Sequence, residues 1–136
     1  MRDVNKVQKR AERKALQVVP FEGGVEKSAP SLLSRHAFKM KLKPGFKEEY
    51  QRRHEAIWPE LSRVLSAAGI SDYSIYLDEE TNTLFALQKL SPNHTADRLP
   101  HDPIVRKWWD FMSDVMEYND DNAPVAITLE EMFHMD

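Results

Sequence analysis

The chain has 136 residues, enough for one domain with a real core and short for two. Hydrophobic residues make up 41% and charged residues 30%, an ordinary globular balance, and the net charge of −3 argues against a nucleic acid or an anionic membrane as partner. The absence of cysteine excludes disulfides, thiolate zinc sites and a cysteine nucleophile and fits a cytoplasmic location, and no apolar run approaches the length of a membrane span.

The charge is uneven along the chain. Residues 1–31 hold seven Lys and Arg against four acids, a balance of +3, so the remainder carries −6. "VNKVQKRAERKALQVV" has Val4, Val7, Ala11 and Leu16 on one side of a possible basic helix, and "PFEGGVEKSAPS" is turn-rich with no helix or strand period. "ALQVV" is too short for the apolar part of a signal peptide. Residues 1–31 are therefore read as a mobile extension, and residues 32–136 as the folded domain.

In the domain, "HAFKMKL" alternates. His36, Phe38, Met40 and Leu42 share one face, and Lys39 and Lys41 point the other way, as in a half-buried strand. "KPGF" is a turn, and a helix is expected from Lys47 to Ala68, stopped by Gly69. "YSIYL" is the second strand, "DEETNT" a hairpin turn and "LFALQKL" the third strand. "SPNHTADRLPHDP" is a loop, and Ile104 to Glu117 is a helix with Val105, Trp108, Met112 and Val115 on one stripe. "YNDDNAP" breaks the chain, and "VAITLEEMFHM" is expected to form the fourth strand. The order βαββαβ is the α+β ferredoxin-like pattern, a four-stranded antiparallel sheet with two helices on one face. Apolar residues on both faces of the first strands predict that the bare face pairs with a second subunit, giving a homodimer whose two sheets close an α/β barrel.

"YQRRHEAIWPEL" places a histidine on an apolar stripe. Phe46, Tyr50, Ile57, Leu61, Val64, Leu65 and Ala68 share one helix face. His54 lies on it one turn from Tyr50, while Arg52, Glu55 and Arg63 face solvent. Pro59 cannot donate to the Glu55 carbonyl, so a kink or a break into two helices is expected just past His54, leaving room for a small ligand. Taken alone, His54 reads as a packed histidine satisfied by a backbone carbonyl. Tyr73 and the pair Trp108–Trp109 offer further aromatic groups at element ends, the materials of a sugar site, though each also fits ordinary packing.

Other chemistry is missing from the sequence. No glycine-rich nucleotide motif and no G-x-S-x-G is present. His94, Asp97, His101 and Asp102 match no metal spacing and fit turn residues before a helix start better. "NDDN" lacks the rest of a calcium loop, and "TLFALQKL" lacks the basic, aromatic surface of an RNA-binding strand. No cofactor and no metal are therefore expected. His36 could edge a pocket but reads better as core or interface packing.

The blocks "AFKMKLKPG", "EEYQRRHEAIWPEL", "YSIYLD", "RKWWDFMSDVM" and "NDDNAPV" resemble, in order, the L-rhamnose mutarotase family over about residues 34–134. The resemblance implies a cytoplasmic homodimer of ferredoxin-like subunits that interconverts the α and β anomers of L-rhamnose. It implies His54 as proton donor and Tyr50, Tyr73, Trp108 and Trp109 as sugar-binding residues. Two departures are small: Asp72 precedes Tyr73 in the "NYAIY"-like strand motif, and Lys107 replaces the arginine before the Trp pair. A dimeric α/β-barrel monooxygenase, a haem-handling protein and a non-catalytic sugar-binding module share this topology and stay open as alternatives on fold alone.

Overall fold

The computed structural model describes residues 32–136, so the extension over residues 1–31 and the basic helix expected there lie outside the described residues. The chain runs β1 (Ser34–Lys41), α1 (Lys47–Glu55), α2 (Pro59–Ala67), β2 (Ile70–Asp78), β3 (Thr83–Leu90), a 3-10 turn (Ala96–His101), α3 (Pro103–Met112) and β4 (Ile127–Leu129). All strand pairs are antiparallel, in the order β2-β3-β1-β4. Each βαβ half is thus split by a strand of the other half, as the expected α+β pattern requires.

The core lies between one sheet face and the helices. Met40 and the adjoining Leu42 meet Leu84 and Ala86 of β3, and Tyr50, Leu61, Val105, Trp108 and Met112 close over them. Burial of each large apolar side chain stabilises the fold by about 1.5–3 kcal/mol. The stripe expected on the last helix is fully used: Val105, Trp108, Met112 and Val115 are all buried.

The helix expected over 47–68 is two helices. Trp58 precedes Pro59, whose ring forces the residue before it out of helical geometry, and Trp58 is extended (φ −66°, ψ 129°). Pro59 then opens α2, where a missing N–H costs nothing. The last helix starts as expected, with Asp102 Oδ1 accepting from the backbone N–H of Ile104 at 2.8 Å and of Val105 at 3.3 Å. It ends at Met112 instead of Glu117, because the backbone just beyond it pairs with the end of β1. Lys43 N–H donates to Val115 O (2.9 Å) and Glu117 N–H to Lys41 O (3.0 Å).

β2 starts earlier than expected and contains a bulge. Ser71 opposes Lys89 while Ser74 opposes Leu87, so Asp72 and Tyr73 together face Gln88. The extra residue shifts the strand's alternation by one position, so that Ile70 before the bulge and Tyr73, Ile75 and Leu77 after it share the helix-covered face. Asp72 takes the left-handed conformation that the bulge needs (φ 48°), which Asp and Asn tolerate better than other side chains.

β4 is three residues long, where a strand over 125–135 was expected. Val125 N–H is committed to Glu117 O (3.0 Å), and Pro124 bridges Tyr118, so the segment before Ile127 pairs elsewhere. Beyond Leu129 the ladder gives way to a side-chain fork, Arg35 donating to Glu131 at 3.2 and 3.0 Å, and Met132, Phe133 and Met135 are exposed. On the sheet face away from the helices, Tyr76, Leu87 and Ile127 are exposed as well.

Candidate active site

Two walls face each other across one open cleft of about 1500 Å³. The helix wall begins with Tyr50 and His54, one turn apart on α1. Their rings stack at 4.3 Å, inclined by 27°. His54 and Trp108 meet as a perpendicular pair, ring centres 5.3 Å apart and planes at 89°. Trp58 and Phe111 do not line the cleft but back this wall, Trp58 meeting Trp108 at 5.1 Å and 87° and Phe111 lying 5.6 Å from both indoles. The sheet wall carries His36 and Phe38 from β1, Tyr73 from β2 and Gln88 from β3. Phe38 lies 5.2 Å from His36 and 6.5 Å from Tyr73, ring centre to ring centre.

The bonding of His54 defines what its ring can do. Nδ1 lies 3.0 Å from the carbonyl oxygen of Tyr50, which can only accept. Nδ1 therefore carries the proton, and Nε2 is the nitrogen left for chemistry. Burial lowers the pKa of His54, opposed in part by the bond to Tyr50. A packed histidine satisfied by a backbone carbonyl describes half of this ring, since the carbonyl takes one nitrogen only.

The tyrosines differ in setting. Tyr50 is buried, and desolvation pushes its hydroxyl well above the usual tyrosine range. Tyr73 keeps 38% of its surface exposed, but its hydroxyl sits among protein atoms that push its pKa up to about 12. Both remain neutral phenols at pH 7, able to donate as well as accept.

Of the two adjacent tryptophans, Trp108 is buried and Trp109 half-buried, yet both line the cleft. Trp109 is held from outside, with the Arg106 guanidinium 5.2 Å from its ring and its carbonyl accepting from the Tyr118 hydroxyl at 2.6 Å. All five residues singled out in the sequence, Tyr50, His54, Tyr73, Trp108 and Trp109, thus meet at one cleft.

Sequence reasoning passed over Trp58, Phe111, Phe38 and Gln88. Trp58 carried a usable signal: the residue before proline is forced extended, which swings this indole out of the helical stripe and onto Trp108. His36, read from the sequence as packing, lines the cleft. Its Nδ1 is 3.0 Å from Gln88 Oε1, directly across the β1–β3 ladder. Its buried Nε2 has no hydrogen-bond partner among the described residues. Burial lowers its pKa, the Gln88 bond opposes this, and His94 adds to the lowering. The loop bearing His94 closes against Gly69 (φ +94°), where a Cβ would lie 2.8 Å from His94 Cβ and would also collide with the Ser91 hydroxyl. No group of three or more His, Cys, Asp or Glu that could hold a metal occurs among the described residues.

The family model described as L-rhamnose mutarotase matches residues 35–135. A protein of Phocaeicola vulgatus named L-rhamnose mutarotase is 57% identical over 104 residues, covering 76% of this chain and all of the relative. One of Bacteroides thetaiotaomicron with the same name is 58% identical over the same shares. The crystal structure of L-rhamnose mutarotase from Formosa agariphila aligns with a TM-score of 0.70 at 54% identity, over 76% of this chain and 99% of that one. Matched from β1 through the segment beyond β4, at more than half identity to full-length relatives, the chain belongs to the L-rhamnose mutarotase family.

Proposed function

We propose that this chain interconverts the α and β anomers of L-rhamnose, with His54 as the proton donor. The observation that carries the assignment of His54 is the pinned tautomer. Nδ1–H is committed to the Tyr50 carbonyl, so Nε2 is presented to the cleft beside the aromatic wall. In its imidazolium form, Nε2 delivers a proton to the ring oxygen as the bond from that oxygen to C1 breaks. The anomeric hydroxyl loses its proton to a second base as the C1 carbonyl forms. Rotation about C1–C2 presents the other carbonyl face, and the steps reverse. Atoms balance, and the reaction has no redox step. A positioned acid or base of this kind contributes roughly 10²–10⁴-fold.

The other residues take binding roles in this scheme. Trp108 and Trp109 present apolar rings to the C–H face of the sugar and to its 6-methyl group. Tyr50 orients the imidazole by stacking and through its carbonyl, and Tyr73 offers its neutral hydroxyl to a sugar hydroxyl from the sheet wall.

The working unit in this proposal is a homodimer in the cytoplasm. Tyr76, Leu87 and Ile127 are exposed apolar residues on the outer sheet face, and a second copy of that face would cover them and close a barrel. No described helix is long and apolar enough to cross a membrane.

Polarimetry tests the activity. Freshly dissolved α-L-rhamnose is expected to reach its equilibrium rotation faster in proportion to protein added. Binding of rhamnose with an unchanged approach to equilibrium would leave only a sugar-binding module.

A further inference from the structure

We infer that Arg53 is a positioning residue for His54, acting as a clamp that fixes the aromatic wall on which the imidazole rests; this inference rests on the mutarotase assignment. Arg53 follows Arg52 and precedes His54, but it turns away from the cleft, and only 11% of its side-chain surface is exposed. Its guanidinium reaches three places at once. Nε donates to Glu49 Oε2, one turn earlier on α1, at 2.6 Å. Nη1 donates to the carbonyl of Phe111 at 2.7 Å and to Asp114 Oδ1 at 2.9 Å, and Nη2 donates to Asp114 Oδ2 at 3.2 Å. The guanidinium carbon also lies 4.5 Å from the centre of the Phe111 ring.

This ties the last turn of α1 to the end of α3. Phe111, bonded through its carbonyl and covered through its ring, is the side chain that packs against both Trp58 and Trp108. Trp108 in turn packs perpendicular to the His54 ring. α1 needs such an anchor, because it is nine residues long and the chain leaves helical geometry at the Pro59 break right behind His54. Two carboxylates, a carbonyl and a ring face satisfy a planar fork, and an ammonium ion cannot reproduce that geometry.

The test is Arg53→Lys, which keeps the positive charge and removes the fork. The rings against the imidazole are Tyr50 on α1 and Trp108 on α3, and His36 and Tyr73 line the same cleft from the sheet wall; the charged groups of the clamp are Glu49 and Asp114. With the charge kept, any change in His54 titration reports hydration and not lost repulsion.

The expected result is a fall in kcat of roughly tenfold to a hundredfold, the scale of a small misplacement of a reacting group, with KM changed by less than about twofold. The NMR titration midpoint of His54 should rise toward the ordinary histidine value as water reaches the ring. Asp114→Asn, on an exposed carboxylate, should fold as wild type and move both readouts the same way by less. A folded Arg53→Lys protein with wild-type kcat, or with an unmoved His54 midpoint, overturns the inference. The titration does not depend on turnover, so failure of the mutarotase assignment and failure of the clamp are distinguishable.

Discussion

At the residue scale, the spacing of four between Tyr50 and His54 was enough to stack them, because residues one turn apart on a helix share a face. The hydrogen bond that fixes the tautomer was not legible as a functional feature. In sequence terms, a carbonyl acceptor for a buried histidine is the ordinary packing outcome. Only the cleft beside the second nitrogen gives it a chemical use. Trp108 and Trp109 were legible as aromatic supply, but which of them is buried depends on where α3 sits. His36 shows both readings at once: its ring packs on Phe38 and bonds Gln88, as its apolar strand face suggested, and it also edges the cleft. The lowered pKa of His54 makes a directional prediction. The donor form is the imidazolium, whose fraction falls as pH rises through the folded-state pKa, and that pKa lies below the ordinary value of about 6.5. After subtraction of the uncatalysed rate, kcat/KM should therefore fall about tenfold per pH unit above a midpoint lower than ~6.5. A profile that rises through that midpoint would make His54 the base of the first step.

At the scale of elements, proline chemistry announced the break at Trp58–Pro59, and the turn residues announced the start of α3. The bulge in β2 was not legible, since nothing in "SDYSIY" states that two residues will oppose one. It bears on the site because the bulged residue Asp72 immediately precedes Tyr73, so the bulge backbone sets where that side chain starts on the face it shares with Ile75 and Leu77. Asp72 carries this arrangement through its positive φ, so replacement of the family motif's asparagine by aspartate is tolerated by the backbone. Asp72→Val should be strained there by roughly 1–2 kcal/mol. It should raise KM for rhamnose several-fold as Tyr73 is displaced, while Asp72→Gly should keep KM near wild type. Thermal unfolding and initial-rate kinetics check both. Equal KM values for the two variants would mean that the bulge does not place Tyr73 for the sugar. The short β4 was missed for a related reason: the alternation of "VAITLEEMFHM" is a strand pattern, but a strand forms only where a neighbouring ladder is free to receive it.

For the whole molecule, the class and element order were legible because hydrophobic period and turn residues agree along the chain. Which strands neighbour each other followed from the topology rule, and the helix-covered face followed from the positions of Leu84, Ala86 and Met40. On the outer face, the exposed apolar residues Tyr76, Leu87 and Ile127 have no cover within the described residues. The proposed homodimer predicts that sedimentation of the wild type gives a mass near twice that of one chain. Leu87→Glu, which brings like charges together at a two-fold interface, should weaken the dimer by roughly tenfold or more, at least about 1.4 kcal/mol. A wild-type monomer at micromolar concentration would remove the dimer from the account and leave the cleft chemistry standing.

Exchange of the anomers of L-rhamnose in this cleft would run through His54. The most direct measurement is NMR saturation transfer between the two anomeric protons of equilibrated L-rhamnose, with the wild type and with His54→Ala. Transfer is expected with the wild type, and a rate lower by roughly 10²–10⁴-fold in a variant that stays folded. Equal transfer from both proteins would reduce His54 to a packing residue, and no transfer from a folded wild type would contradict the activity itself.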